Sequence, residues 1–228
     1  MRFLITGHTG FKGSWLTVLL KELGHDVFGF SLQPDTESLY GTASLNRLLS
    51  GERFDDIRDL NSFRDFVDQV NPDVLIHFAA QSLVRESYRN PKYTFEVNVL
   101  GTLNVLQVLE TRNSYSAALI ITTDKVYLND NENRPFIESD PLRGAEPYGA
   151  SKAIADEMSQ YWIQNDFLKR TSIVRAGNVI GGGDVAFDCA RSATRLQILK
   201  YGKANVKLTS LENEDALPAS IDEYIEGN

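Results

Sequence analysis

The chain has 228 residues, 42% of them hydrophobic and 24% charged, an ordinary globular composition with enough apolar material for one good core. Its net charge of -8 argues against a surface built to grip a nucleic-acid backbone, and the single cysteine, Cys189, excludes an intrachain disulfide or a multi-cysteine zinc site. Met1 to Ile5 is too short an apolar run for a secretory core, and no stretch approaches the roughly 20 apolar residues that cross a bilayer, so the reading is a soluble cytoplasmic protein that binds neither nucleic acid nor membrane.

The first apolar run in chain order is "RFLIT" (2 to 6). Leu16, Leu19, Leu20 and Leu23 follow at helical spacing, and the segment stops at Gly24, a residue suited to ending a helix. "DVFGF" (26 to 30) reads as a second strand. Leu60, Phe63, Phe66, Val67 and Val70 then form an apolar helical stripe before the turn "NPD". "VLIHFAA" (74 to 80) is a third strand, and Pro91 opens a helical segment through about Arg112. "AALIITT" (117 to 123) and "TSIVRAGNVI" (171 to 180) are strands four and five, with a long helix at about 147 to 167 between them. Runs this apolar belong to strands buried on both faces. Strand and helix alternating five times predict a doubly wound α/β domain with a parallel sheet and right-handed crossovers.

The first strand passes into the first helix through "TGHTGFKG", where Gly7, Gly10 and Gly13 allow a tight turn, close approach of a pyrophosphate and close packing of helix on sheet. The amide groups and positive dipole of a helix N-terminus face the same point. With a strand before and a helix after, this spacing predicts a dinucleotide site, with Thr9 and Phe11 completing the turn. An acid about 20 residues on would bind the adenosine ribose. Position 33 is Gln, and Asp35 lies two residues further, so the residues leave NAD and NADP both open.

Two further stretches carry chemistry. "ITTDKVY" (121 to 127) ends a buried strand with Thr123, Asp124 and Lys125 in succession. "YGASK" puts Tyr148 and Lys152 one helical turn apart, so that the ammonium can lower the phenol pKa and let tyrosine act as a base. The three histidines, His8, His25 and His77, form no metal-ligand pattern, and no metal is expected.

In order and near-matching spacing, "TGHTGFKGSWL", "DIRDL", "HFAAQSLVR", "NVLGT", "TTDKVY", "EPYGASK" and "RAGNVIGGGD" resemble the extended short-chain dehydrogenase/reductases. Within them, the wording is most similar to that of the CDP-glucose 4,6-dehydratases over residues 1 to about 185. The resemblance implies a Rossmann domain over 1–185 that holds NAD, with a small or incomplete substrate lobe and acidic tail over 186–228. It implies a lyase of deoxysugar biosynthesis that acts on a nucleotide sugar by internal hydride transfer, working as a homodimer through its two long helices. Tyr148 would take the proton of the sugar 4-hydroxyl with Thr123 and Lys152 assisting, Asp124 would serve as acid and Lys125 as base. Asp56 and Ile57 would lie beside the adenine, Ala79 and Ala80 beside the cofactor ribose and phosphates, and Asn98 close to the same pocket. Gln81, Arg85 and Asn178 would face the sugar nucleotide, and Arg191 and Arg195 are candidate phosphate contacts. A related epimerase or dehydratase acting on another nucleotide sugar stays open, as does a dinucleotide-binding module that does not turn over, because the segment following "GGGD" is short for this group.

Overall fold

A computed structural model describes residues 1–112, 115–129 and 134–177. Within Met1–Ala176 six parallel strands form one sheet in the order β3-β2-β1-β4-β5-β6: β1 Arg2–Thr6, β2 Asp26–Ser31, β3 Gly51–Phe54, β4 Val74–His77, β5 Ala117–Thr123 and β6 Thr171–Ala176. β1 pairs with β2 on one side and β4 on the other, so the strand order reverses at this central pair. In an open parallel sheet, that reversal leaves a crevice at the carboxyl ends of the two strands.

Five of the six strands were expected. The sixth, β3 "GERF", escapes pattern reading because it is a four-residue edge strand carrying Glu52 and Arg53 and burying no residue fully. β5 spans the residues expected, whereas β4 ends at His77, short of Ala80.

Seven α-helices connect the strands among the described residues: α1 Phe11–Glu22, α2 Leu39–Thr42, α3 Leu60–Val70, α4 Val84–Arg89, α5 Pro91–Phe95, α6 Gly101–Glu110 and α7 Pro147–Gln164. Asp59 caps α3 by accepting from the Ser62 amide, and the helix buries Phe63, Phe66, Val67 and Val70 as their spacing predicts. The main core gathers on that face, where Phe30, Leu75, Leu106 and Ile120 join Phe63.

Two helices depart from expectation. α1 buries only half of its leucine stripe: Leu20 and, in part, Leu16 pack with Gly13, Ser14 and Thr17 on the buried face, while Leu19 and Leu23 are exposed. Small residues win that face because the helix starts almost in contact with the glycine turn. The segment from Pro91 is not one regular helix either, since a wider turn at Glu96–Leu100 separates α5 from α6 and carries Asn98 into the interior. No helix among the described residues is long and apolar enough to cross a membrane.

Candidate active site

The site starts at the end of β1. Gly7 has φ +72, and a Cβ built on it would stand 2.7 Å from the Ala79 nitrogen, so both the backbone conformation and the approach of the chain leaving β4 demand glycine. A Cβ on Gly13 would meet the Gly7 carbonyl oxygen at 2.4 Å, which is how tightly α1 closes on the turn. The Ala79 amide donates to the Thr6 hydroxyl at 3.2 Å, fixing the β1 and β4 crossovers side by side. This bare backbone cradle at a helix N-terminus fits the diphosphate of a dinucleotide. Thr9 reaches the end of β2, its hydroxyl 2.7 Å from that of Ser31. Phe11 is exposed on the first turn of α1.

Several residues expected at the cofactor or substrate hold the walls together. Asn98 is fully buried: its Oδ1 accepts from the Gln81 amide, and its Nδ2 donates to the Gln81 carbonyl and the Ser151 hydroxyl. Gln81, in turn, donates from Nε2 to Thr94 and the Leu83 carbonyl and accepts from the Leu83 amide. These bonds occupy both ends of each side chain, so the chain after Ala80 is pinned to α7. The Ile57 side chain is in the core. Asp56 is gripped by Arg58 at 2.7 Å, which holds its carboxyl below the usual range. Arg85 is exposed on α4, and Ala80 lies next to Gln81 at the mouth of the crevice. Asn178, Arg191 and Arg195 lie outside the described residues, as does the stretch expected to form a substrate lobe.

The side chains expected to react meet at the end of β5. A short turn, Asp124–Val126, follows Thr123, and a Cβ on Gly149 would lie 2.7 Å from the Lys125 carbonyl oxygen, so the start of α7 presses on this turn. That contact sets Tyr148 beside Thr123. Burial pushes the Tyr148 phenol up from its ordinary value, opposite to the lowering expected from Lys152, and the nearby Thr123 hydroxyl pulls the other way. Lys152 is 3% exposed and donates to the Ile121 carbonyl at 3.0 Å. Burial lowers its pKa to about 8, with the charge of Lys12 adding to the effect. Asp124 and Lys125 are exposed, and the Thr123 hydroxyl donates to Asp124 at 3.0 Å. The described residues therefore bring Thr123, Tyr148, Lys152, Asp124 and Lys125 to one edge, without enclosing the last two.

The family model for GDP-mannose 4,6 dehydratase matches residues 4–178. The chain belongs to this family. Among GDP-mannose 4,6-dehydratase-type relatives, the CDP-glucose 4,6-dehydratase of Salmonella typhimurium is 39% identical over 197 residues, covering 82% of this chain and 54% of that protein. A CDP-paratose 2-epimerase of Salmonella typhi is 32% identical over 208 residues, covering 82% and 60%. In solved structures, a Thermus thermophilus UDP-glucose 4-epimerase in complex with NAD is 27% identical with a TM-score of 0.66, covering 77% of this chain and 54% of that one. The chain thus spans little more than half the length of the relatives it matches. These likenesses agree with the motif order seen in the sequence and with the parallel dinucleotide-type sheet.

Two side-chain clusters around the site escaped the sequence. His8, in the glycine turn, is fully buried, with its Nε2 3.0 Å from Glu52 of β3 and Tyr40 donating to the same carboxylate. Behind α7, Asp156 and Arg175 form a second cluster. Neither has a spacing signal, because each joins residues 12 or more positions apart.

Proposed function

We propose that the protein is an NAD-dependent nucleotide-sugar 4,6-dehydratase acting on CDP-glucose. The observation that carries this reading is the gathering of Thr123, Tyr148 and Lys152 at the end of β5, on the sheet edge that also carries the glycine cradle. The name of the Salmonella typhimurium relative supports the choice of sugar nucleotide, and NAD-bound structural neighbours support the choice of cofactor.

Gly7, Gly10 and Gly13 leave backbone room for the NAD diphosphate, and Thr9, Phe11, Ala79 and Ala80 line the same crevice. When bound, NAD supplies a reversible hydride acceptor. Tyr148 takes the proton from the sugar 4-hydroxyl while Thr123 donates a hydrogen bond to that oxygen. The neighbouring Lys152 ammonium stabilises the phenolate that proton transfer requires. Once carbon 4 is a ketone, the proton on carbon 5 is acidified. Lys125 removes it, Asp124 protonates the departing 6-hydroxyl and water leaves; return of the hydride to carbon 6 and of the proton from Lys125 to carbon 5 would then give the 4-keto-6-deoxy sugar with no net oxidation. Asp124 and Lys125 stand exposed in the described residues, so bound substrate must supply their enclosure. The reading includes a cytoplasmic setting and a homodimer built on α6 and α7, whose neighbourhood leaves Leu100, Ile154 and Tyr161 exposed.

Incubation with CDP-glucose and NAD, followed by the alkali-induced absorbance of a 4-keto sugar, tests the assignment. Tyr148→Phe should reduce the signal by about a thousandfold while leaving NAD affinity within a few-fold. A Tyr148→Phe protein that forms product at the parental rate overturns the mechanism. NAD binding without any 4-keto product from the parent chain favours the dinucleotide-binding module instead.

A further inference from the structure

Between Tyr127 and Arg143 the chain makes an excursion that leaves and returns beside the candidate acid and base. Its described legs are 127–129 and 134–143. They close at the mouth, where the Leu128 amide donates to the Pro141 carbonyl and the Arg143 amide to the Val126 carbonyl, each at 2.8 Å. Val126 immediately follows Lys125, so whatever fixes these legs also fixes the turn that presents Asp124 and Lys125.

The fixing group comes from β6. Arg175 lies opposite Thr122 in the sheet register, next to the strand end that carries Thr123. Its Nε and Nη2 donate to the two oxygens of Asp156 at 2.9 Å each, a fork-to-fork pair. Its Nη1 turns outward to the excursion, donating to the Tyr127 hydroxyl and to the Glu138 carbonyl, again at 2.9 Å. The guanidinium also lies over the Tyr127 ring, 4.9 Å from its centre, and that ring stacks on Phe136. One side chain thus touches both legs.

Asp156 is fully buried on α7, one turn beyond Lys152. It also accepts from Thr122 at 2.8 Å and from Gln160 at 2.7 Å, so every part of the carboxylate is used. The cluster joins β5, β6, α7 and the excursion, and each member sits within a few positions of a reacting residue: Thr122 next to Thr123, Tyr127 two after Lys125, Asp156 four after Lys152. Neutralising a buried carboxylate needs only a cation; Arg175 spends two further bonds and a ring face on the excursion, which charge balance alone does not require.

We propose that Arg175 is a positioning residue that clamps the Tyr127–Arg143 excursion to the Asp156 carboxylate of α7, and so fixes the Asp124–Lys125 turn against Tyr148. The proposal deepens the dehydratase reading and rests on it for its catalytic consequence. The clamp itself is read without turnover.

The decisive variant is Asp156→Asn with Arg175→Met, which removes both charges together and leaves no orphaned buried ion. Amide hydrogen exchange at Leu128 and Arg143 should accelerate about tenfold or more relative to the parent, since local opening is what exchange reports. Turnover of CDP-glucose should fall about a hundredfold with KM moved less than about threefold, as misplaced acid and base groups predict. Parental exchange rates in this folded double variant overturn the clamp. Parental turnover with accelerated exchange overturns its role in positioning. Should the double variant not fold, Tyr127→Leu leaves the Asp156 pair intact and removes the hydroxyl and ring that Arg175 holds. The same acceleration at Leu128 and Arg143 is expected there, and its absence is equally fatal. If the parent protein makes no 4-keto sugar, the function reading fails while the exchange result still decides the clamp.

Discussion

The two ends of the crevice are built from different materials. At β1 the site is backbone: a turn with φ +72 at Gly7, a helix that starts within a carbonyl's reach of it, and the chain leaving β4 close enough to forbid a Cβ. At β5 the site is side chains, whose protonation is set by where they are buried: Tyr148 pushed up, Lys152 brought down to about 8. The first kind of site tolerates no added side chain at its glycines and no change in shape. The second depends on the placement of its side chains and on their charge.

The largest expected effect is at the backbone end. Gly7→Ala must adopt a conformation that L residues rarely take and must also push against Phe78 and Ala79, so it should cost about 3 to 5 kcal/mol of stability. Urea unfolding measures this directly, and NAD affinity should be lost with it. A stable, NAD-binding Gly7→Ala protein would show that the turn is not rigid.

The next effect has the opposite sign. The folded state holds the Lys152 proton less firmly than the unfolded chain does, with a pKa of about 8 against 10.5, so stability should rise as pH climbs between those values. Below pH 8 the full penalty is present. Lys152→Met should therefore stabilise the protein at pH 7 by about 2 kcal/mol, the shift being worth roughly 3 kcal/mol and the lost bond to Ile121 offsetting part of it. Turnover should fall at the same time. A less stable Lys152→Met protein would mean that burial does not strain this ammonium.

His77 gives a pH-graded effect from the same physics. It is fully buried between Thr6 and Thr102, and burial, helped by the Lys152 charge, lowers its pKa from 6.5 to about 3. The unfolded chain takes up a proton that the folded chain refuses. Stability is lost as pH falls from 6.5 towards 3, by about 1.4 kcal/mol per unit for this one group. His8 is shifted in the same direction and adds to the slope. Denaturant midpoints against pH should show a shallower fall for His77→Asn than for the parent, whatever the variant's absolute stability.

The same contrast explains what was legible in the sequence. Backbone sites leave a spacing, and "TGHTGFKG" after "RFLIT" announces a turn, a helix start and a diphosphate cradle at once. β5 could be read residue for residue because both its faces are buried. β3 could not, since an edge strand with two charges has no apolar period. The leucines of α1 misled because Gly13, Ser14 and Thr17 bury by being small, a preference that hydrophobic periodicity does not register. At the side-chain end, Tyr148 and Lys152 share a helical face and can be paired on paper. The buried bonds that use up Asn98 and Gln81, and the pairing of Asp156 with Arg175, form only when distant segments meet.

The smallest effect probes the adenine side of the backbone-built end. Arg58 forks onto Asp56, reaches Glu96 at 2.9 Å and lies over the Tyr93 ring, yet about a third of its side chain is solvent-exposed. Exposed pairs are screened and cost side-chain entropy, so Arg58→Ala should lower stability by only about 0.5 kcal/mol, and less in high salt. It would also free the Asp56 carboxylate, expected beside the adenine, to take another partner. If backbone geometry carries cofactor binding, the NAD dissociation constant should change by less than about threefold, since a difference of that size is worth well under 1 kcal/mol. Isothermal titration at two salt concentrations measures both the size and the screening. A loss of tenfold or more that salt does not relieve would place a side-chain requirement at the end of the crevice that shape alone is argued to govern, and the division between the two ends would fail there.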